Sequence, residues 1–436
     1  MEAQAKPNIL LMICHDLGRH LGCYGIENLN TPNLDEFADR GIRFTNYFCT
    51  APQCSPSRGS IITGRLPRNN GLMGLAHLGW TLDDGIKTLP QLLSDYGYET
   101  YLFGVQHEAR TKNVKRLGYQ HIGEQGKAWD VADAVIGFLK ERDSHQPFYA
   151  SVGFFEPHRP YDQLEYTPDD PDTVSVPPYL PDVPGVRQEI AQLQGMIRAV
   201  DHEVGRVLTT LKETGFWENT LVIFTTDHGV AMPRAKGTLY DPGVGTALIM
   251  HGPHLDHCRV ENSLLSNVDL LPTIMDYIGA SLPTGLDGRS FLTLLQRGFY
   301  KKRSHIHLEM TWHDRYEPVR GVRTEGYKYI RSFGARPLVY IPADIYDSPS
   351  GKAVRDEYYG SQRPGEELYD LDKDPLERKN VIDDPGYQWI AEQLRKKLEK
   401  SMKVTKDPLM NGPIPGREEP QADYWDVVQN NSPFEC

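Results

Sequence analysis

The chain has 436 residues, and 47 Lys and Arg against 59 Asp and Glu give it a formal net charge of −12. Hydrophobic residues make up 39% and charged residues 24%, a globular composition that excludes a disordered chain, a coiled coil and a collagen-like fibre. The acidic balance argues against a nucleic-acid partner, and no apolar run reaches the roughly 18–20 residues of a membrane span, so neither partner is expected.

The first predicted element is a buried strand at Ile9–Cys14. The polar start of the chain leads directly into this apolar run, which His15 and Asp16 end. The pattern is that of a strand rather than of a signal-peptide core. If Met1 is the native start, we expect a cytoplasmic protein.

Strands and helices then alternate through the first 300 residues. Further strands are predicted at Ile42–Phe48, Thr100–Gly104, Phe148–Phe154 and Leu221–Thr226. The predicted helices are Asn33–Arg40, Leu89–Tyr96, Val131–Arg142, a long one over Val186–Thr214 and one after Asp269. This alternation indicates an α/β sandwich with a largely parallel central sheet, and the continuously apolar strands fit burial on both faces.

The pattern changes after Lys301. Short antiparallel strands are predicted at His305–Met310, Val319–Arg323 and Tyr327–Phe333, followed by a helix over Tyr387–Met402. Because single cores stop growing at roughly 250–300 residues, we predict two units. They are a catalytic α/β domain at 1–300 and a smaller α+β subdomain at 301–436, whose Pro-rich tail wraps the surface.

Histidine or acidic residues directly follow four of the predicted strands. They are His15 and Asp16, His107, Glu156 with His158, and Asp227 with His228. A single residue of this kind is usually a helix cap, but parallel strands bring their carboxyl ends to one ligand-binding edge. Four such strand ends therefore favour a shared metal or anion site. Carboxylates suit Ca²⁺ or Mg²⁺, and imidazoles widen the choice to Mn²⁺ or Zn²⁺.

The segment Cys54-Ser-Pro-Ser-Arg58 is the most informative stretch of the chain. It has the pattern of a helix entry, with Pro56 in the first turn. A thiol there would feel the positive end of the helix dipole, which lowers its pKa. Arg58, one turn later, could hold an anion or orient Cys54. The other cysteines, Cys14, Cys23, Cys49, Cys258 and Cys436, form no CxxC pair and are expected to be reduced thiols.

With Thr63-Gly64-Arg65 beyond it, this segment resembles the signature of type I sulfatases, in the alkaline phosphatase-like superfamily. Other segments resemble the family in chain order: His15–Gly18, Thr31–Asp35, Gly41–Asn46, Leu221–Gly229, Lys236–Tyr240, Glu367–Leu371, Asp374–Pro375 and Asn380. The resemblance covers residues 7 to 400. Within the family, Cys54–Arg58, Gly71–Leu75 and Glu156–Pro160 are most similar to the N-sulfoglucosamine sulfohydrolases, the heparan N-sulfatases.

The resemblance implies an exo-acting hydrolase of a sulfate ester or sulfamate, with an N-sulfoglucosamine-like sugar or a small sulfated molecule as substrate. In such enzymes the motif Cys, here Cys54, is oxidised to formylglycine by a formylglycine-generating enzyme. The hydrated aldehyde attacks sulfur, displaces the alcohol or amine, and then expels sulfate.

The family's functional residues also carry over to this sequence. The implied metal site holds one divalent ion, with Ca²⁺ favoured over Mg²⁺, Mn²⁺ or Zn²⁺, and its residues are His15, Asp16, Cys54, Asp227 and His228. The implied catalytic residues are Cys54, Arg58, His107, His158 and Lys236. Lys236 matches the residue that touches the sulfate, and His158 matches a histidine near the leaving group, a candidate general acid. Arg58 would steady the formylglycine.

Two positions depart from the family pattern. His15 stands where the family usually has Asp, so it either binds metal through nitrogen or only supports Asp16. Val105 stands where the family has Lys, so one expected positive charge near the sulfate is missing. Beyond the family motifs, His77 and Trp80 could line a sugar pocket. Arg159, His313 and Arg315 could bind further carboxylates or sulfates, whereas His251, His254 and His257 are expected to be exposed loop residues.

Two other functions remain open from the sequence. Phosphonate monoester hydrolases and phosphodiesterases of the same superfamily share the Cys motif and the Asp-His pair, and phosphoryl and sulfuryl groups need similar binding sites. An unmatured protein that binds sulfated glycans without turnover is the third hypothesis.

Overall fold

The computed structural model describes residues 6–143 and 146–417, so Cys436 and the end of the predicted tail lie outside the described residues. The strands are β1 (Asn8–Cys14), β2 (Ile42–Phe44), β3 (Tyr47–Phe48), β4 (Glu99–Gly104), β5 (His121–Ile122), β6 (Phe148–Phe154), β7 (Thr220–Thr226), β8 (Leu248–His251), β9 (Arg259–Glu261), β10 (Leu265–Ser266), β11 (Ile306–Trp312), β12 (Tyr316–Arg323), β13 (Tyr327–Ser332) and β14 (Glu366–Asp370).

Helices alternate with these strands through most of the chain. They are α1 (Pro32–Arg40), α2 (Cys54–Thr63), α3 (Pro67–Asn70), α4 (Leu89–Asp95), α5 (Ala128–Glu141), α6 (Pro184–Glu213), α7 (Asp241–Val244), α8 (Leu270–Tyr277), α9 (Leu292–Leu295), α10 (Ala343–Tyr346), α11 (Pro349–Tyr359) and α12 (Gln388–Val404). Among the described residues, no helix combines the length and apolarity that crossing a membrane requires.

The central sheet has the strand order β5-β4-β6-β1-β7-β8-β2-β9. The strands β5, β4, β6, β1 and β7 run parallel, and β8 pairs antiparallel with β7. Helices cover both faces of the sheet, and β1 and β7 are buried along their whole length, which confirms the predicted α/β sandwich. Cys14 at the end of β1 pairs with Phe154 and Thr226, so these strands end at one level.

A second sheet of order β11-β12-β13-β14 is antiparallel, and α12 packs on it. It joins the first unit through buried contacts: the Glu309 N–H donates to the Thr50 carbonyl at 2.8 Å, and Glu309 forms an ion pair with Arg68. The smaller α+β unit is therefore present among the described residues. Its boundary at residue 300 stays a prediction.

One predicted strand is interrupted. Ile42–Phe48 splits into β2, in the central sheet, and β3, which pairs with β10 in a separate two-stranded sheet. The separation occurs where the Thr45 N–H donates to Glu261 and the Leu265 N–H donates to Asn46, so the two halves bond to different partners. The pattern of apolar residues did not predict β8, β14 or α11.

Glycines let the loops after β1 and β7 touch. The Gly18 N–H donates to the His228 carbonyl at 2.8 Å. A Cβ on Gly18 would lie 3.0 Å from the Gly229 Cα, and a Cβ on Gly229 would lie 1.9 Å from the Pro242 carbonyl oxygen. No larger residue fits at Gly229 without moving backbone. The close approach at Gly18 brings together Asp16 and Asp227, the residues that follow the two strands.

Gly229→Ala should therefore destabilise the protein, by at least the ~1–3 kcal/mol typical of overpacking, because the added methyl meets backbone on α7. Gly137→Ala is the control. Gly137 lies in α5 with open space around its Cα, so Ala should be neutral or stabilise by about 0.5–1 kcal/mol through helix propensity. Urea unfolding of both variants measures the difference, and equal stability would contradict the close approach.

Candidate active site

Cys54 lies at the first turn of α2, where the chain changes from extended backbone at Gln53 to helix. The side chain is nearly buried, and its Sγ lies 3.4 Å from His228 Nε2, 3.8 Å from His15 Nδ1 and 4.0 Å from Asp16 Oδ1. Burial opposes ionisation of the thiol, but the positive charges of His15 and Lys236 outweigh it and hold the pKa of Cys54 well below its usual value. Position 54 is therefore an electropositive point at a helix N-terminus.

The structure brings together all five residues that the resemblance implies for a metal. The ligand atoms of His15, Asp16, Cys54, Asp227 and His228 lie within 4.8 Å of one another. All five side chains are buried, with Cys54 the most exposed at 4%. Two carboxylates and two imidazoles converging at the carboxyl ends of β1 and β7 form a donor set that fits a divalent cation.

The hydrogen bonds of the two histidines direct the inner ring nitrogens towards the cluster, where both contact Asp16 Oδ1. His228 Nδ1 lies 3.0 Å from the Gly229 carbonyl, which can only accept, so Nε2 is left facing Asp16 and Cys54. His15 Nε2 lies 2.9 Å from His107 Nδ1, which leaves its Nδ1 facing the cluster. Such partners on the outer nitrogen are how metal-bound histidines are oriented. His15 Nδ1 lies 3.2 Å from Asp16 Oδ1 and 3.3 Å from Asp227 Oδ2, so its role as a ligand or as a support for Asp16 stays a prediction.

Asp227 is held by several donors. Its Oδ1 accepts hydrogen bonds from the backbone N–H of Asp16 at 3.0 Å and of His228 at 2.8 Å. Its Oδ2 accepts from Arg58 Nε at 3.0 Å. Arg58 is fully buried, and its Nη2 has no hydrogen-bond partner within the described ranges. This guanidinium thus positions the carboxylate and keeps one further donor at the site.

Asp16 has an unusual backbone conformation, with φ at 49°, the left-handed region that Asp tolerates better than most residues. Its Oδ2 lies 2.8 Å from Lys236 Nζ. Burial disfavours the charged form of Asp16, but Lys236 and His158 reverse this and hold the pKa of the carboxyl well below its usual value. Asp16 therefore carries a negative charge in a buried site.

Lys236 connects two carboxylates. Its Nζ lies 2.8 Å from Asp16 Oδ2 and 2.8 Å from Oδ2 of Asp344, in α10. Burial opposes charge on both partners. Their mutual attraction prevails, so the pKa of Lys236 is raised well above its usual value and the pKa of Asp344 is lowered. The Lys236 ammonium is 1% exposed and cannot be a solvated surface charge.

The two remaining predicted histidines lie beside the cluster. His158 Nδ1 lies 2.7 Å from the Arg159 carbonyl, so its Nε2 faces Asp16 Oδ2 at 3.7 Å. Burial lowers the pKa of His158, and Asp16 counteracts this in part. Burial and the neighbouring His15 lower the pKa of His107 to about 4. Both rings are thus mainly neutral near pH 7, and His107 acts as the partner that orients His15.

A cavity of about 280 Å³ opens above these residues. Cys54, Lys236, His107 and His158 lie on its floor, and its walls include His77, Trp80, Trp312, His313, Asp344 and Arg417. Gly74 lies between the two tryptophans, because a Cβ there would lie 2.4 Å from Trp80 Nε1 and 2.8 Å from Trp312 Cβ. The floor is therefore polar and charged, whereas two walls are aromatic.

The last described residues form part of this wall. Trp312 Nε1–H donates to the Ile414 carbonyl at 2.9 Å, and the Ile414 N–H donates to Tyr316 at 3.0 Å. The Arg417 guanidinium then lies over the Trp80 ring, 4.9 Å from its centre. This cation–π contact brings a positive charge to the wall of the pocket.

The other residues suggested by the sequence fall into two groups. His77, Trp80 and His313 line the pocket. Arg159 forms a buried ion pair with Glu189 instead. The prediction of exposed loop residues is wrong for His251, which is the last residue of β8 and is partly buried because it stacks on Trp217 and His257. His254 is exposed, as predicted.

Sequence reasoning missed several pocket residues, among them Trp312, Asp314, Asp344 and Arg417. These four come from the smaller unit and the end of the described chain, where no family motif marks them. The one sequence feature that pointed to any of them was the Pro-rich tail, which was predicted to wrap the surface and which contains Arg417.

Comparison with known proteins gives consistent matches along the chain. The sequence model of the Sulfatase family matches residues 7–280, and a second model, N-sulphoglucosamine sulphohydrolase, C-terminal, matches residues 233–350. Human N-sulphoglucosamine sulphohydrolase is 30% identical over an alignment that covers 94% of this chain and 93% of the human protein.

Solved structures share the fold. A protein in complex with its substrate D-glucosamine-2-N,6-O-disulfate superposes with a TM-score of 0.73 at 21% identity, covering 94% of this chain and 99% of its own. Phosphonate monoester hydrolase of Agrobacterium radiobacter gives a TM-score of 0.72 at 21% identity, covering 93% and 97%. At these identities the likeness concerns the fold alone, which is compatible with more than one chemistry.

Asp227→Asn should reduce metal affinity because it removes a negatively charged ligand atom. Loss of a residue that only supports a ligand costs about 10–100-fold in affinity, so loss of a ligand itself should cost more. The amide keeps the shape of the side chain. Bound metal is measured by elemental analysis of the purified protein after dialysis. Asp84→Asn, at a fully exposed carboxylate, is the control and should keep the wild-type stoichiometry. Full metal content in Asp227→Asn would remove this residue from the ligand set.

Proposed function

Because the chain belongs to the sulfatase family and is a hydrolase of sulfate esters or sulfamates, we propose that it desulfates an N-sulfoglucosamine-like sugar at a chain end. The observation that carries the proposal is the position of Cys54. Its thiol lines the pocket and lies within 4.0 Å of three members of the cluster that fits a metal. Cys54 thus belongs both to the proposed cation site and to the lining of the proposed substrate pocket.

We propose Ca²⁺ as the metal, held by Asp16, Asp227, His15 and His228, with Mg²⁺, Mn²⁺ or Zn²⁺ as alternatives that imidazole ligands admit. A divalent ion there would lower the pKa of the nucleophilic hydroxyl and offset the charge of the sulfuryl oxygens. The protein prepares the site in advance, since Arg58 and two backbone N–H groups hold Asp227.

We propose that Cys54 is converted to formylglycine by a formylglycine-generating enzyme, which would supply a hydrated aldehyde as nucleophile. The position suits an attacking oxygen. It lies at the N-terminus of α2, where the helix dipole and the charge of Lys236 stabilise negative charge. Both would favour ionisation of a hydroxyl at this position.

Lys236 and His158 supply the remaining functions. The Lys236 ammonium touches Asp16 and faces the pocket floor, so it would bind a sulfuryl oxygen by a charge-assisted hydrogen bond. His158 directs Nε2 towards the same floor. Burial lowers its pKa in the free protein, and the negative charge of a bound sulfuryl group would raise it again, which favours proton donation to the leaving atom.

The pocket indicates a single terminal sugar. Its volume of about 280 Å³ is near the lower end of the ~300–1,000 Å³ typical of small-molecule sites. Trp80 and Trp312 offer aromatic faces for the apolar side of a sugar ring, and Arg417 offers a positive charge for an acidic substituent. The human relative of 30% identity is named for N-sulphoglucosamine, which supports the choice of an N-sulfated amino sugar.

A substrate panel tests the assignment. Matured protein with metal is assayed on N-sulfoglucosamine, glucosamine 6-O-sulfate and a phosphonate monoester, and kcat/KM is compared. We expect N-sulfoglucosamine to be hydrolysed fastest. Preference for the phosphonate would replace the proposal with phosphonate hydrolysis. Binding of sulfated sugar without turnover by protein that carries formylglycine would replace it with a glycan-binding function.

Cys54→Ala should abolish turnover, because it removes the atom from which the nucleophile is made, while the thermal melting temperature stays within a few degrees of wild type. Mass spectrometry of the wild-type peptide containing Cys54 should show loss of the thiol sulfur. Cys49 is the control, because this buried cysteine lies outside the pocket. It should keep its thiol in the wild-type protein, and the Cys49→Ala variant should retain turnover. Retained activity in Cys54→Ala would contradict the covalent mechanism.

A further inference from the structure

Asp344 is an acidic residue at the reaction centre that the metal site and the nucleophile do not use. It belongs to α10 in the smaller unit, and its carboxylate lies within 4.8 Å of the ligand atoms of Asp16 and His158. Its Oδ2 accepts from Lys236 at 2.8 Å. The side chain is 26% exposed and lines the pocket.

The exposed fraction of three charged side chains increases from the floor of the pocket outwards. The Asp16 side chain is 0% exposed, Lys236 is 1% exposed and Asp344 is 26% exposed, with the ammonium between the two carboxylates. A sulfuryl group bound by Lys236 and the metal site would occupy the inner end of this series. The atom that leaves sulfur would then point outwards, to the side of the pocket where Asp344 lies.

The chemistry of the leaving atom decides which substrate tolerates a carboxylate there. The nitrogen of a sulfamate carries a hydrogen and can donate, whereas the bridging oxygen of a sulfate ester has only lone pairs. An ionised carboxylate can only accept. Beside an ester oxygen it would face only lone pairs and be repelled, which is how a polar site rejects an analogue that lacks the hydrogen.

We propose that Asp344 selects sulfamates over sulfate esters by accepting a hydrogen bond from the N–H of the bond that is cleaved. This inference rests on the proposed function and names the substrate class of the same site. As the S–N bond breaks, the attacking oxygen of residue 54 forms a bond to sulfur. The electron pair of the broken bond goes to nitrogen, which takes up a proton from His158 and leaves as an amine. Protonated by solvent, that amine is an ammonium that Asp344 can bind as an ion pair.

The alternative role for Asp344 is to hold Lys236 in place. Loss of that contact would weaken sulfuryl binding for every substrate to the same degree. A change in the ratio of sulfamate to ester hydrolysis therefore separates selection from simple positioning, and the absolute rate does not.

The test is Asp344→Asn, which keeps the shape, removes the charge and adds an N–H that can donate to an ester oxygen. We compare kcat/KM on N-sulfoglucosamine and on glucosamine 6-O-sulfate with matured, metal-loaded protein. The ratio of sulfamate to ester activity should fall by about 10–100-fold, the range for losing a hydrogen bond to a charged group. Asp347→Asn is the control: it lies on the same segment, pairs with Arg355 outside the pocket and should keep the wild-type ratio.

Equal losses on both substrates would overturn the inference and leave Asp344 as a positioning residue for Lys236. If the wild-type protein hydrolyses neither sulfated sugar, the proposed function itself fails. A second measurement needs no variant: glucosamine should inhibit the wild-type protein at least about 10-fold more tightly than glucose, because only its ammonium pairs with the carboxylate. Equal inhibition by the two sugars would also overturn the inference.

Discussion

The site depends on forcing two carboxylates together inside the protein. Asp16 and Asp227 follow adjacent parallel strands, and the Asp16 N–H donates to the Asp227 carboxylate. Gly18 permits the contact of their loops, and Gly229 lets the second loop approach α7. Buried like charges are costly unless cations neutralise them, and this cost accounts for what surrounds them: the Arg58 guanidinium, the Lys236 ammonium and imidazoles that can share a metal.

The same arrangement explains why position 54 is chemically special. The Cys54 side chain enters a region where the surrounding cations outweigh burial and stabilise an anion. A nucleophile formed there by oxidation of the thiol would be activated by groups that the fold already holds in place. The smaller unit adds part of the wall, with Trp312 and Asp344, so the floor of the pocket comes from one unit and its walls from both.

The sequence predicted the floor of the site better than its walls. Parallel strands place the residues that follow them at one edge, so the positions of His15, His107, His158 and Asp227 could be inferred from strand ends alone. Trp312, Asp344 and Arg417 reach the pocket through tertiary packing of distant segments, which no local pattern encodes. The break within Ile42–Phe48 has the same cause, since its halves pair with strands more than 200 residues away. The catalytic and metal-binding roles of these residues stay predictions.

The central claim is that residue 54 and one divalent cation share a site between Asp16 and Asp227. A crystal structure of the matured, Ca²⁺-loaded protein, with the cation located by its anomalous scattering, tests it most directly. We predict a single peak about 2.3–2.6 Å from oxygens of both aspartates, with a formylglycine oxygen directed at it. A cation bound elsewhere, or a residue 54 side chain turned away from these carboxylates, would contradict the account.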